Sequence, residues 1–202
     1  MVGHLCITTA MKITRLLSPL LSVLFLAAPT IINAADSYKI DPVHSSVLFK
    51  VKHLGVSYVH GRFNDISGTV VFDEENAANG SIDATIKTES VDTHVAARDR
   101  NLRSPDFLDV KQFPEMTFKS REVKKSGNDT FEVTGDFTLH GVTKPLTVKL
   151  TKIGEGKGME DEYRAGGETQ FTIKRSDFGM TYMLPGVGDE ITVILSLEGI
   201  RQ

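Results

Sequence analysis

Five histidines lie beyond residue 34: His44, His53, His60, His94 and His140. No two stand as HxH or as the ends of HExxH, and no carboxylate falls at ligand spacing from two of them. The spacing therefore carries no metal motif. Ser45 beside His44 has the residue types of a nucleophile and its base, but no Gly-x-Ser-x-Gly elbow is present to expose the hydroxyl. Gly154-Glu155-Gly156-Lys157-Gly158 is glycine-rich, yet it opens no helix whose amide groups could cradle a phosphate. The single cysteine, Cys6, excludes a disulfide framework and a cysteine zinc centre. No catalytic residue, metal ligand or cofactor is assigned.

The most pointed polar group is expected on a helix. From Thr93 to Val110 the spacing changes from two to helical, with Val95, Arg98 and Leu102 at i, i+3 and i+7. A turn of about 100° per residue gathers His94, Arg98 and Asn101 beside that stripe, and Asp99 can pair with Arg103. An arginine on an apolar stripe needs an anion. That anion is either an internal carboxylate such as Asp177 or the phosphate of a ligand, which a guanidinium fork fits well. Arg98, Asn101 and Arg103 are the candidates for a ligand's polar end. A second short turn is expected at Ser104-Pro105-Asp106, with Ser as N-cap and Pro at the first helical position.

The elements that must position these residues are strands. Val47, Phe49 and Val51 alternate with Leu48, Lys50 and Lys52, and Ile82, Ala84 and Ile86 with Asp83 and Thr85. The same period recurs in Phe131–Leu139, Leu146–Leu150, Phe171–Ile173 and Ile191–Leu197. One apolar and one polar face mean antiparallel sheet. His140-Gly141 predicts a tight hairpin, and the Gly-rich 154–161 stretch a mobile loop. The single apolar face must be hidden in a sandwich or a closed barrel. Long strands favour an antiparallel barrel of about eight strands, with a short helical insertion at about 93–110. Candidate lumen residues are Phe49, Val51, Phe72, Ile82, Ile86, Phe118, Phe137, Leu139, Val148, Phe171, Val193 and Leu195. Alternation alone leaves open whether they enclose a cavity or a packed core.

The 202 residues carry 23 Lys+Arg against 26 Asp+Glu, with 40% hydrophobic residues. That is a globular composition with no basic half to hold nucleic acid. Met11-Lys12-Ile13-Thr14-Arg15, the apolar run Leu16 to Ile32 and Asn33-Ala34-Ala35 form a secretory signal with its cut after Ala34 or Ala35. Residues 1–10 read as an upstream extension of a signal that starts at Met11. The run holds Pro19 and Pro29 and is short for a span, so the chain is not expected to cross a membrane. Cleavage leaves one domain, residues 35–202, without cysteine, which suits an oxidising compartment.

The order of motifs then points further. Ser37-Tyr38-Lys39-Ile40-Asp41-Pro42-Val43-His44-Ser45, Gly61-Arg62-Phe63, Arg98-Asp99-Arg100-Asn101-Leu102-Arg103-Ser104-Pro105-Asp106-Phe107, Thr138-Leu139-His140-Gly141-Val142-Thr143-Lys144-Pro145 and Arg175-Ser176-Asp177-Phe178-Gly179 resemble the YceI-like family along the whole of 35–202. The resemblance implies a lipocalin-like barrel whose apolar lumen binds polyisoprenoid or other long-chain amphiphiles, and a periplasmic location. One departure is Asn101, where the family usually has His. The reading is a periplasmic carrier or buffer of such a lipid, doing no chemistry. The alternatives are an enzyme on isoprenoid quinone or peroxidised lipid, with His44 or His94 as acid/base, and a protein-interaction barrel without lipid. Oligomeric state is left open, a dimer among the options.

Overall fold

The computed structural model describes residues 1–4, 35–73 and 75–202. The expected signal segment, 11–34, lies outside them. Among the described residues no helix is long and apolar enough to cross a membrane. The fold is that of the compact unit Ala34–Gln202.

Eleven strands follow the alternation: β1 (Asp36–Ile40), β2 (Ser46–His53), β3 (Ser57–Phe63), β4 (Ile66–Phe72), β5 (Ser81–Lys87), β6 (Val91–Asp92), β7 (Glu115–Lys125), β8 (Thr130–Leu139), β9 (Val142–Lys157), β10 (Tyr163–Lys174) and β11 (Val187–Arg201). Among the described residues one α-helix, α1 (Ala96–Arg103), and three short 3-10 turns interrupt them. All pairings are antiparallel. The ring β1-β4-β5-β7-β8-β9-β10-β11 closes where β1 pairs with β11, giving the eight-stranded barrel expected. Closure leaves the ring with no free edge. β2 lies beyond β1 along the same long strand β11, so the β2–β3 hairpin and β6 extend the wall at one end of the barrel.

Local chemistry explains the joints. His140 and Gly141 both have positive φ, 51° and 74°, and Leu139 pairs with Val142 across them. This is the two-residue turn whose twist matches the flanking strands. Two strand glycines make room for rings: a Cβ at Gly61 would stand 2.3 Å from the Phe49 ring, and one at Gly135 would stand 2.7 Å from that of Phe118. The expected loop at 154–161 is shorter than its composition suggests. β9 continues to Lys157, and pairing with β10 holds Gly154 and Gly156 extended. Partner strands override the weak strand propensity of glycine.

The buried side chains form two adjoining clusters inside the barrel. One is built on Val47, Ile82, Phe131 and Val133, the other on Met116, Phe137, Leu139 and Phe178. Edge-to-face contacts of Phe137 with Phe178 (5.5 Å) and Phe171 (6.4 Å) knit the second.

Candidate ligand-binding site

Inward residues of β2, β5, β7, β8, β9, β10 and β11 surround an apolar cavity of about 160 Å³. Phe49, Val51, Ile82, Ile86, Phe118, Phe137, Leu139, Val148, Phe171, Val193 and Leu195 all line it. Leu102 of α1, with Phe107, Leu108, Met180 and Val187, lines it at the end covered by the helix and the 175–187 loop. Among the described lining residues the polar ones are Thr117, Thr169 and Arg175. Thr169 is 4% exposed and its hydroxyl has no hydrogen-bond partner among the described residues. An unsatisfied hydroxyl in an apolar wall is costly.

Phe72 sits elsewhere. It lines a smaller pocket of about 70 Å³, packed edge-on to Phe131 and beneath the ammonium of Lys152. Phe72 is the last residue of β4, which pairs with both β1 and β5, and it stands opposite Asp36 at the start of β1. That position puts the ring at the far end of the barrel, so Phe72 does not line the lumen proper.

The polar trio is also placed differently. The helix starts at Ala96, and Val95 before it is extended and 45% exposed. The face turned inward is therefore that of Asp99 and Leu102. The Asp99 carboxylate is buried and accepts from the Thr93 amide at 2.9 Å and hydroxyl at 2.5 Å. Arg98 donates from Nε to the Thr93 hydroxyl (2.8 Å) and from Nη2 to the Thr93 carbonyl (2.9 Å). Its anion is thus an internal carboxylate reached through Thr93. It is not Asp177, which pairs with Lys144 at 3.5 Å. Arg103 donates to the Glu89 and Val91 carbonyls at 2.8 and 2.6 Å rather than to Asp99. Asn101 is exposed. None of the three lines the cavity. The physical reason is that Thr93, at the end of β6, claims Asp99 and sets the rotation of the helix. Ser104 to Phe113 form turns, not a second helix, though Ser104 does accept from the Asp106 amide.

The arginine that does reach the lumen is Arg175, 2% exposed. Its guanidinium donates to the carbonyls of Gly188, Met180, Tyr182 and Val187 at 2.8–2.9 Å. Burial lowers its pKa, while Asp189 works the other way. Four hydrogen bonds from the guanidinium fork to carbonyls let one side chain clamp the whole 180–188 loop over the barrel end. Reading the sequence found Arg175 only as part of a motif; spacing gives no sign of a loop folding back over its own guanidinium.

The histidines proposed as acid/base groups do not meet the cavity. His94 is 87% exposed on its side chain, and His44 belongs to a cluster toward the C-terminal end of β11. There Asp41, His44 and Glu198 converge closely enough to hold a cation. A cation already stands among them: Arg164 Nη1 donates to Asp41 (2.8 Å) and Glu198 (2.6 Å), and Nε to Glu162 (2.6 Å). His44 Nδ1 lies 2.7 Å from Asp41. Hydrogen bonds from His44 and then Arg164 hold the Asp41 carboxyl well below its usual range, and the carboxylates raise Arg164. The cluster is an ion-pair network that ties β1, β10 and β11 together.

An antiparallel barrel closed around an apolar cavity, capped by a helix and a clamped loop, defines a protein of the lipocalin-like kind. The chain belongs to the YceI-like family: residues 38–199 match the model of the YceI-like domain. It is 48% identical over 171 residues to a UPF0312 protein of Pseudomonas aeruginosa, covering 84% of this chain and 88% of the relative. Among solved structures it is similar to BcnA of Burkholderia cenocepacia, at 28% identity and TM-score 0.72, covering 79% of this chain and 98% of that one. It also shares its fold with a polyisoprenoid binding domain from Saccharophagus degradans, at 16% identity and TM-score 0.63, covering 82% and 98%.

Proposed function

We propose that this protein is a periplasmic lipid-binding protein. In this reading it holds a polyisoprenoid or similar long-chain amphiphile in the barrel lumen, as carrier or buffer, and catalyses nothing. The observation that carries the reading is the continuous apolar cavity running under α1 and the 180–188 loop. A pure hydrocarbon chain makes no hydrogen bonds, and this wall offers almost none. Burial of such a chain contributes about 0.8 kcal/mol per CH₂. The domain of like fold from Saccharophagus degradans, described as polyisoprenoid binding, is in keeping with this ligand class. Export rests on the signal pattern of residues 11–35.

The cavity of about 160 Å³ is close to the engineered hole of about 150 Å³ that holds benzene. A chain of several isoprene units needs more. Loading must therefore turn lining side chains into new rotamers. Met116 and Met180 supply such freedom, because an unbranched thioether repacks readily.

The deciding experiment is organic extraction and native mass spectrometry of protein purified from cells that express the full chain. A co-purifying long-chain amphiphile, and titratable binding of a polyprenol in detergent-free buffer, are expected. Protein that purifies empty and ignores both a polyprenol and its phosphate would refute the proposal. The same mass spectrum gives the mature N-terminus, expected at Ala35 or Asp36.

A further inference from the structure

The rim of the cavity carries large apolar side chains that remain largely exposed. Leu54 and Val56, at the tip of the β2–β3 hairpin, are 61% and 83% exposed. Met183, in the loop clamped by Arg175, is 50% exposed, with Tyr182 and Leu184 beside it. The two segments are one surface: the Leu54 amide donates to the Gly186 carbonyl at 2.7 Å. That surface runs into the cavity wall through Val187 and through Phe107, whose ring meets Tyr182 edge-on at 5.4 Å. Leu54 and Met183 also hold positive φ, 50° and 57°. Glycine or asparagine would take that conformation with less strain. Large apolar side chains thus stand at strained positions with half or more of their surface in water.

The flank of the same hairpin is basic. Phe49 and Val51 face the lumen, so their neighbours Lys50 and Lys52 face outward. The register sets Lys52 beside Tyr58, Lys50 beside His60, and Arg62 beside Leu48. Lys50 lies 5.2 Å from the Tyr58 ring centroid, and neither Lys50 nor Lys52 has a carboxylate partner among the described residues. The acidic neighbours are Asp92, opposite Arg62, and Asp189 and Glu190 in the irregular stretch of β11 across from Lys52, with Asp189 accepting from Ser176. An apolar tip flanked by lysines and a tyrosine is the arrangement that enters a headgroup layer and is held there by anionic lipid.

We infer that the cavity rim, Leu54–Val56 with Tyr182–Leu184, docks into an anionic lipid bilayer, guided by Lys50 and Lys52. A water-insoluble ligand then passes between bilayer and lumen without crossing water. The passage rests on the proposed function; the attachment does not, since it is measured without ligand.

The test is flotation with vesicles of phosphatidylglycerol and phosphatidylcholine, against phosphatidylcholine alone, at low and raised salt. The wild-type protein should float with the anionic vesicles and lose attachment as salt rises. Val56→Asp with Met183→Asp should weaken attachment at least about tenfold. Lys50→Gln and Lys52→Gln should each weaken it about fivefold. Because Val56, Met183 and Lys52 are exposed and Lys50 is only partly buried, melting temperature and uptake of N-phenylnaphthylamine into the lumen should stay at wild-type values. Wild-type protein that ignores anionic vesicles, or a double Asp variant that floats equally well, would overturn the inference. So would a double Asp variant whose only change is loss of a dimer in sedimentation, which would assign the patch to a second copy of the chain. Intact flotation without lumen uptake would instead sink the proposed function and leave docking standing.

Discussion

Val148→Phe separates a cavity from a packed core, because the two make opposite predictions. Val148 projects from β9 into the lumen, opposite the fully buried Val133 on β8. The side chain is only partly buried although it faces inward, so the surface it exposes is cavity wall. The added phenyl ring fills a space of the size that holds benzene, and the cavity here is about 160 Å³. Four additional carbons at about 0.8 kcal/mol each give an upper bound near 3 kcal/mol. Ring ordering and imperfect fit reduce this to about 1–2 kcal/mol. At about 2–4 °C per kcal/mol for a chain of this size, the empty protein should melt roughly 2–8 °C higher. The same ring occupies the path of a lipid chain, so polyprenol affinity should fall by about a hundredfold or more. Scanning calorimetry of delipidated protein and a polyprenol titration measure the two quantities. A fall in stability of about 1–3 kcal/mol is what overpacking a filled core produces. That outcome, or polyprenol affinity unchanged in a folded variant, would refute the cavity argument.

Arg98→Ala should lower stability by about 1–3 kcal/mol, since it strips the Thr93 hydroxyl and carbonyl of charged donors; it should change affinity for a polyprenol and its phosphate equally, and selective loss of the phosphate would return Arg98 to the ligand site. Thr169→Val should raise the stability of delipidated protein by about 1 kcal/mol, because the buried hydroxyl it removes has no partner among the described residues; urea unfolding that shows a loss would mean the hydroxyl is bonded. The Asp41 carboxyl is depressed below its unfolded value by His44 and Arg164, so its contribution is complete above the ordinary carboxylate pKa of about 3.9 and is lost as pH falls through the folded value. Asp41→Asn should therefore destabilise at pH 7 and flatten the fall in melting temperature below about pH 4; an unchanged acid limb would show that Asp41 does not drive acid unfolding.

Period-two alternation follows from strand geometry alone, because successive side chains leave opposite faces. It therefore named eleven of the lumen-lining side chains, such as Phe49, Phe137 and Val193, before any strand was paired. The His140-Gly141 turn was equally legible, since positive φ at two consecutive residues is a local demand. What lay in tertiary structure was everything set by which strand meets which. Phe72 is the same residue type as Phe49 and belongs to the same kind of alternation, yet its place as the last residue of β4, opposite Asp36, sends it to the smaller pocket. Asp99 turns inward because Thr93, six residues earlier, reaches its carboxylate, and helical periodicity counted from Val95 has no term for that bond. The Arg175 clamp, the Arg164 network and the apolar rim each join residues from separate segments. Spacing along the chain carries no record of those meetings, whereas the alternation of a single strand is written in every second residue.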